Sequence, residues 1–216
     1  MINTVDVNTT DVNKADYWQQ RYEAGKIGWD MGRVSPPIKA YIDTAMKDVD
    51  KTAKILIAGA GNAYEAEYLH EQGFVNVIVV DFAQAPLENL AKKFPDFPKG
   101  HLLQSDFFKI DSEEYQFDYS IEQTFFCAID IARRAEYVKK MYELLKPAGK
   151  LVGLLWDKDF GRNEPPFGGS RAEYETLFAD KFITNIMAPC HNSHPKRQGN
   201  ELFVEFVSKK SAVNKA

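Results

Sequence analysis

Gly59, Gly61 and Asp81 are the residues whose types and spacing specify chemistry most directly. The glycines follow a short apolar run, Lys54 to Ala58, and Asp81 closes a second apolar run, Val75 to Val80. Glycines at a strand-to-helix turn let a ligand approach the backbone, and an acid at the next strand's end can accept from ribose hydroxyls. A dinucleotide site wants a third glycine, in the pattern G-x-G-x-x-G, so that pyrophosphate can sit on the helix N-terminus. Tyr64 stands at that position, which disfavours a nicotinamide oxidoreductase. The spacing Gly59, Gly61, Ala63 fits a nucleoside without phosphates, such as S-adenosylmethionine. A tight turn that binds nothing is the competing reading, and Asp81 weighs against it.

Other candidates lie on either side of this unit. Trp18 and Tyr22 share a helix face at i, i+4, and Trp29 follows in a loop between Gly28 and Gly32. The two tryptophans can pack a helix onto a sheet or form a lid whose rings cover a charged sulfonium. Asp106, at a strand end, could accept from an adenine amino group with Phe107 against the ring, or be a surface residue at a turn. Glu122-Gln123 interrupts the apolar run Phe117 to Ile129, and buried polar groups need partners. Their place at the C-terminal edge of the sheet favours ligand contact. Cys127, among Phe125, Phe126, Ala128 and Ile129, is expected to be an inert buried thiol. Cys190, His191 and His194 could ligate a metal, but their Pro/Lys/Arg-rich surroundings favour a solvated loop, and no metal is expected.

The elements that must position these residues alternate strand and helix. Helices are expected over Asp16–Tyr22, from Ser35 to about Lys47, over Asn62–Gln72 with Asn62 as N-cap and Gly73 as stop, over about Gln84–Phe94, over Arg133–Leu145 and over Arg171–Asp180. Strands are expected at Lys54–Ala58, Val75–Val80, His101–Gln104, from Phe117, at Lys150–Trp156, and as an antiparallel pair at Phe182–Met187 and Glu201–Val207. Asp157 to Ser170 is a long loop rich in Gly, Pro and charge, of the kind that is often functional. Its Asn163-Glu164-Pro165-Pro166-Phe167 is not read as an amino-methylating motif, because it follows the fifth strand and carries an inserted Glu. Residues 1–13 and the last residues, from Ser208, read as tails. Residues 14–210 read as one domain with a helical lid at about 14–47.

Bulk composition excludes several classes. The chain has 216 residues, 27% of them charged, and a net charge of −4, which is no footprint for a nucleic-acid backbone. No apolar run reaches membrane-spanning length, and no basic segment precedes an apolar core at the N-terminus. Two distant cysteines without a pairing pattern point to a reducing, cytoplasmic setting.

Together these landmarks resemble the thiopurine methyltransferase family, and within it the halide/thiol methyltransferase branch best known from plants. The resemblance runs from about Tyr17 to Val207. It rests on Trp18-x3-Tyr22-x6-Trp29-Asp30-x-Gly32-Arg33-x-Ser35-Pro36, Gly59-Ala60-Gly61, Asp81, Asp106-Phe107 and Phe125-Phe126-Cys127-Ala128-Ile129. Leu144-Leu145-Lys146-Pro147-x-Gly149 and Pro165-Pro166-Phe167 extend it. It implies an α/β, doubly wound, seven-stranded Rossmann-like fold, mostly parallel with one antiparallel strand. It also implies S-adenosylmethionine as methyl donor, giving S-adenosylhomocysteine. The cofactor residues expected are Trp18, Tyr22, Trp29, Gly59, Gly61, Asp81, Phe82, Asp106, Phe107 and Glu122. The acceptor, a small thiol or hydrosulfide with halide as a further candidate, is expected against Phe125, Phe126 and Trp156 and oriented by Gln123, the candidate catalytic residue. Methyl transfer of this kind is a one-step in-line displacement. Tyr22 stands where the branch usually has Trp, and Gln123 where the plant enzymes carry Tyr. A methyltransferase for a hydroxyl, amine or metalloid, or a non-catalytic cofactor-binding module, are the alternatives. A monomer without nucleic-acid or membrane partners is expected.

Overall fold

The apolar run Lys54–Ala58 becomes strand β1 of a central sheet, after two helices, α1 (Ala15–Glu23) and α2 (Pro36–Thr44). The computed structural model describes residues 11–211; residues 1–10, most of the expected N-terminal tail, and 212–216, the end of the C-terminal one, lie outside the described residues. Helix α3 (Tyr64–Glu71), β2 (Asn76–Asp81), α4 (Gln84–Lys93), β3 (Leu102–Gln104) and β4 (Phe117–Gln123) follow. Then come α5 (Arg134–Leu144), β5 (Leu145–Trp156), α6 (Arg171–Phe178), β6 (Phe182–Pro189) and β7 (Glu201–Ser208). Among the described residues, seven strands form one sheet in the order β3-β2-β1-β4-β5-β7-β6. Strand β7 runs antiparallel to both neighbours, and every other pairing is parallel.

Successive residues of β1 point to opposite faces, so Leu56 and Ala58 join one buried cluster and Ile55 and Ile57 another. The first cluster is completed by α5, α6 and β7, through Tyr137, Phe178 and Phe206 among others. The second is completed by α2, α3 and α4, through Ile38, Leu69 and Leu90. Because the chain turns from β1 toward β2 on one side and reaches β4 on the other, a crevice opens at the C-terminal ends of β1 and β4.

Three local expectations are corrected. Asn62 does not cap α3: Ala63, in the left-handed region at φ 52°, precedes the helix, and the Asn62 amide donates to Asp30 instead. Strand β5 starts at Leu145, because Lys146–Gly149 are absorbed as a bulge between the pairs Phe117–Leu145 and Tyr119–Lys150. Residues 11–13, expected in the tail, turn back on α1, where the Trp18 indole donates to the Val12 carbonyl at 2.8 Å. No helix among the described residues is long and apolar enough to cross a membrane.

Candidate active site

The turn after β1 is built for close approach. Gly59 (φ 55°) and Gly61 (φ 54°) both adopt the left-handed backbone. A Cβ on Gly59 would fall 2.0 Å from Phe125 Cδ2, and one on Gly61 would fall 3.1 Å from the Tyr22 hydroxyl. Asp81, at the end of β2, closes the turn: its carboxylate accepts from the Gly61 N–H at 3.3 Å and the Ala83 N–H at 3.0 Å. Burial pushes the Asp81 carboxyl up to about 6, against the pull of these backbone donors.

A cavity of about 690 Å³ lies over this turn. Its floor includes Gly59, Asp81, Phe82, Asp106 and Phe107, all at or just beyond strand ends. Asp106 caps a single 3₁₀ turn, accepting from the Phe108 N–H at 3.0 Å, and Phe107 meets Phe125 edge to face at 5.3 Å. Tyr17, Trp18, Tyr22 and Trp29 form the roof. Trp29 is the hub, with ring centroids 5.5 Å from Trp18 and 5.7 Å from Tyr22, both edge to face. Burial pushes the Tyr22 hydroxyl above its ordinary range, so it stays a neutral donor. The Gln19 side chain accepts from the N–H groups of Gln84 and Ala85, which seats α1 on the start of α4.

The far wall comes from Phe125, Cys127 and Trp156, with Phe160, Arg162, Lys196 and Arg197 beyond them. Cys127 is buried, which pushes its thiol up to about 12, and its Sγ lies 3.3 Å from the Thr124 carbonyl. It is an inert wall, as its apolar neighbours implied. Cys190, His191 and His194 do not form a group that could hold a metal, among the described residues, and His194 lines the cavity instead.

Four expected site residues are not brought to the wall of this cavity. Gly61 lies just behind it, bonded to Asp81. The Glu122 carboxylate points into the core, where it accepts from the N–H groups of Phe125 (2.8 Å) and Phe126 (2.9 Å) and from the Tyr137 hydroxyl (2.7 Å). Burial pushes this carboxyl up to about 7. With its oxygens engaged inside the protein, Glu122 holds the loop after β4 and is turned away from the cavity. Phe126 is 1% exposed and packs on Tyr137, Tyr174 and Phe178, so it belongs to the core and not to the acceptor wall. Gln123 projects to the other side of β4 from Glu122, and its amide nitrogen and oxygen are buried with no hydrogen-bond partner.

The sequence reading missed Tyr17, Phe108, Arg133, Phe160, Arg162, Lys196 and Arg197 on the cavity wall. The long loop after β5 and the basic His-Pro-Lys-Arg stretch were the available signals. Neither said which strand ends they would overhang.

Residues 13–215 match the family model described as Thiopurine S-methyltransferase (TPMT). The protein named "Probable thiol methyltransferase 2" of Arabidopsis thaliana is 30% identical over 168 residues, 76% of this chain and 72% of that one. Thiocyanate methyltransferase 1 of Brassica oleracea is 30% identical over 167 residues, 74% of this chain and 70% of that one. The crystal structure of 1,6-didemethyltoxoflavin-N1-methyltransferase from Burkholderia thailandensis, with bound 1,6-didemethyltoxoflavin and S-adenosylhomocysteine, superposes with a TM-score of 0.72. It covers 91% of this chain and 87% of its own, at 19% identity, and shares the fold.

Proposed function

The chain belongs to the thiopurine S-methyltransferase family, and from that premise we propose that it methylates the sulfur of a small thiol or of hydrosulfide, with S-adenosylmethionine as donor. The reading takes residues 14–210 as one catalytic unit with its lid at about 14–47. One observation carries it: a single cavity joins the nucleoside-type turn at Gly59 and Asp81 to an aromatic wall at Phe125 and Trp156. The relatives named for thiol and thiocyanate supply the sulfur.

The residues present fit the cofactor. The cradle left by Gly59 and Gly61 admits close contact, and the Asp81 carboxylate suits a ribose diol. Asp106 with Phe82 and Phe107 would take the adenine, and Trp18, Tyr22 and Trp29 would cover the sulfonium, which ring faces attract. When bound, S-adenosylmethionine supplies a methyl group already activated on a cationic sulfur. The chain's own residues orient the acceptor and exclude water. Phe125 and Trp156 present apolar surface to the acceptor, which strips water from a soft nucleophile. Arg162 and Lys196 add positive potential along that wall, which favours the ionised thiolate over the thiol. A nucleophile already ionised near neutral pH needs no strong base.

The test is transfer of labelled methyl to a panel of hydrosulfide, small organic thiols, thiocyanate, iodide and a thiopurine. The highest kcat/KM is expected for hydrosulfide or a small thiol. Transfer only to oxygen or nitrogen acceptors would overturn the assignment, and so would S-adenosylhomocysteine binding without turnover on any acceptor.

A further inference from the structure

The lid loop is anchored at both ends of the Trp29–Ser35 stretch, and one anchor comes from the far end of the chain. Asp30 accepts from the Asn62 amide and, at 3.3 Å, from the Tyr64 hydroxyl, while the Ser35 N–H donates to Glu65 at 2.9 Å. These tie the loop to the start of α3. The remaining anchor is Arg197, in the connection between β6 and β7, whose Nη2 donates to the Trp29 carbonyl at 2.8 Å.

Arg197 is 7% exposed and engaged on three sides. Besides the lid carbonyl, Nη1 lies 3.4 Å from the Glu201 carboxylate at the start of β7, and the guanidinium carbon sits 5.4 Å from the Trp156 ring centroid. Glu201 is itself 4% exposed, so its charge fixes the fork from behind. A guanidinium holds a carbonyl and a carboxylate at once with donors fixed in one rigid plane, whereas an ammonium on a flexible stem is not pre-organised for both. The loop Arg197 holds is weakly packed: none of residues 24–34 is buried, and within the preceding α1 only Tyr17 is. A segment with few apolar contacts opens at low cost, so one charge-assisted hydrogen bond changes its population.

We infer that Arg197 is a positioning residue that clamps the aromatic lid through the Trp29 backbone, so that the β6–β7 connection sets how tightly the cofactor is retained. Trp29 is the ring against which Trp18 and Tyr22 both pack, so releasing its carbonyl loosens the whole roof. The inference rests on the reading of the cavity as an S-adenosylmethionine site.

Arg197→Lys in the full chain tests it, because a cation remains beside Glu201 while the fork is lost. In the ligand-free protein, amide exchange over residues 27–35, including the Asp30 N–H bonded to the Ile27 carbonyl, should quicken, with β1 and β4 as protected as before. The Kd for S-adenosylhomocysteine should rise roughly tenfold or more, the scale of a lost charge-assisted hydrogen bond, with acceptor KM changed by less than about threefold. Glu201→Gln, which leaves Arg197 but weakens what orients it, should move lid exchange the same way by less. Unchanged lid exchange in both variants overturns the clamp. A raised acceptor KM with intact S-adenosylhomocysteine affinity overturns it too, by making Arg197 an acceptor contact. Protection falling evenly across the sheet would reduce Arg197 to a fold residue. A wild-type protein that does not bind S-adenosylhomocysteine overturns the cavity reading and retention together, whereas the exchange result bears on the clamp alone.

Discussion

Asp81 is held where its charge is costly, and a ribose diol would repay that cost. Burial outweighs the backbone donors of Ala83, Gly61 and Phe82, so the carboxyl titrates at about 6 instead of 3.8. The sign for folding follows: the protonated form's advantage is complete below about 3.8 and is lost as pH rises through about 6. The sign for binding is opposite, because hydroxyl donors favour the carboxylate. S-adenosylhomocysteine affinity should therefore fall as pH drops below about 6 and be flat above it. Asp81→Asn should bind about 1.5–3 kcal/mol more weakly at neutral pH and lose the pH dependence. Calorimetric titrations of both proteins from acid to neutral pH check this, and a wild-type curve that stays flat would remove Asp81 from the site. Gln123 poses a different residue-scale problem. An amide buried with neither atom bonded costs stability, and an apolar replacement of similar shape can be neutral or stabilising. Gln123→Leu should unfold at an equal or higher temperature, with cofactor affinity and the relative kcat/KM among hydrosulfide, organic thiols and iodide unchanged. A shifted selectivity at constant cofactor affinity would show instead that Gln123 reaches the acceptor. Asp81 was legible because a strand-end acid after a glycine turn is a local pattern. The fate of Gln123 was not, because a strand residue's partners come from elements remote in sequence.

Strand β4 carries the clearest case of an element overriding a residue's apparent role. Alternation sends Glu122 and Gln123 to opposite faces, so the polar pair adjacent in sequence is divided between two environments. Glu122 goes to the α5 side and binds the two N–H groups that turn the chain after Thr124, itself at φ 63°. Its carboxyl, raised by burial from 4.5 to about 7, favours folding below about 4.5 and gives up that contribution as pH rises through about 7. Glu122→Gln keeps an oxygen for both N–H donors and should flatten the decline of Tm across that interval. Glu122→Ala strands two N–H groups and the Tyr137 hydroxyl and should cost about 3 kcal/mol or more. Thermal melts at several pH values distinguish the two. Equal pH profiles for wild type and Glu122→Gln would show that the carboxyl does not titrate there. Helix and strand positions were readable to within a few residues because period and breakers are local. The misreading of Asn62 as an N-cap has the same origin as that of Glu122: its partners, Asp30 accepting from its N–H and Asn89 donating to its carbonyl oxygen, come from elements remote in sequence.

At the scale of the whole molecule, the sheet's closing strands complete the site. The parallel half, β3 to β5, follows from the glycine turn and the βα alternation, and so was legible. The antiparallel return of β7 beside β5 brings Trp156 and the β6–β7 connection to one end, and no local pattern announces which basic residues arrive there. The consequence is electrostatic. The chain carries a net charge of −4, which repels anions at long range, yet Arg162 and Lys196 line the far wall of the cavity, where the proposed acceptor would sit. The acid nearest them along the loop, Glu164, is 4.0 Å from Arg21 and partly compensated by it. The site should therefore attract anions only within a screening length, with repulsion from the rest of the surface beyond it. Two thiols of equal thiol pKa, one carrying a carboxylate, should separate these effects. Raising ionic strength from about 0.01 M to about 0.15 M shortens the screening length from about 30 Å to about 8 Å, which removes the long-range repulsion before the local attraction. The carboxylated thiol should keep the lower KM at the higher ionic strength, and Arg162→Gln should erase that preference while leaving S-adenosylhomocysteine affinity unchanged. Equal KM values for the two thiols at every ionic strength would mean that the basic wall serves the lid and the fold and does not select the acceptor.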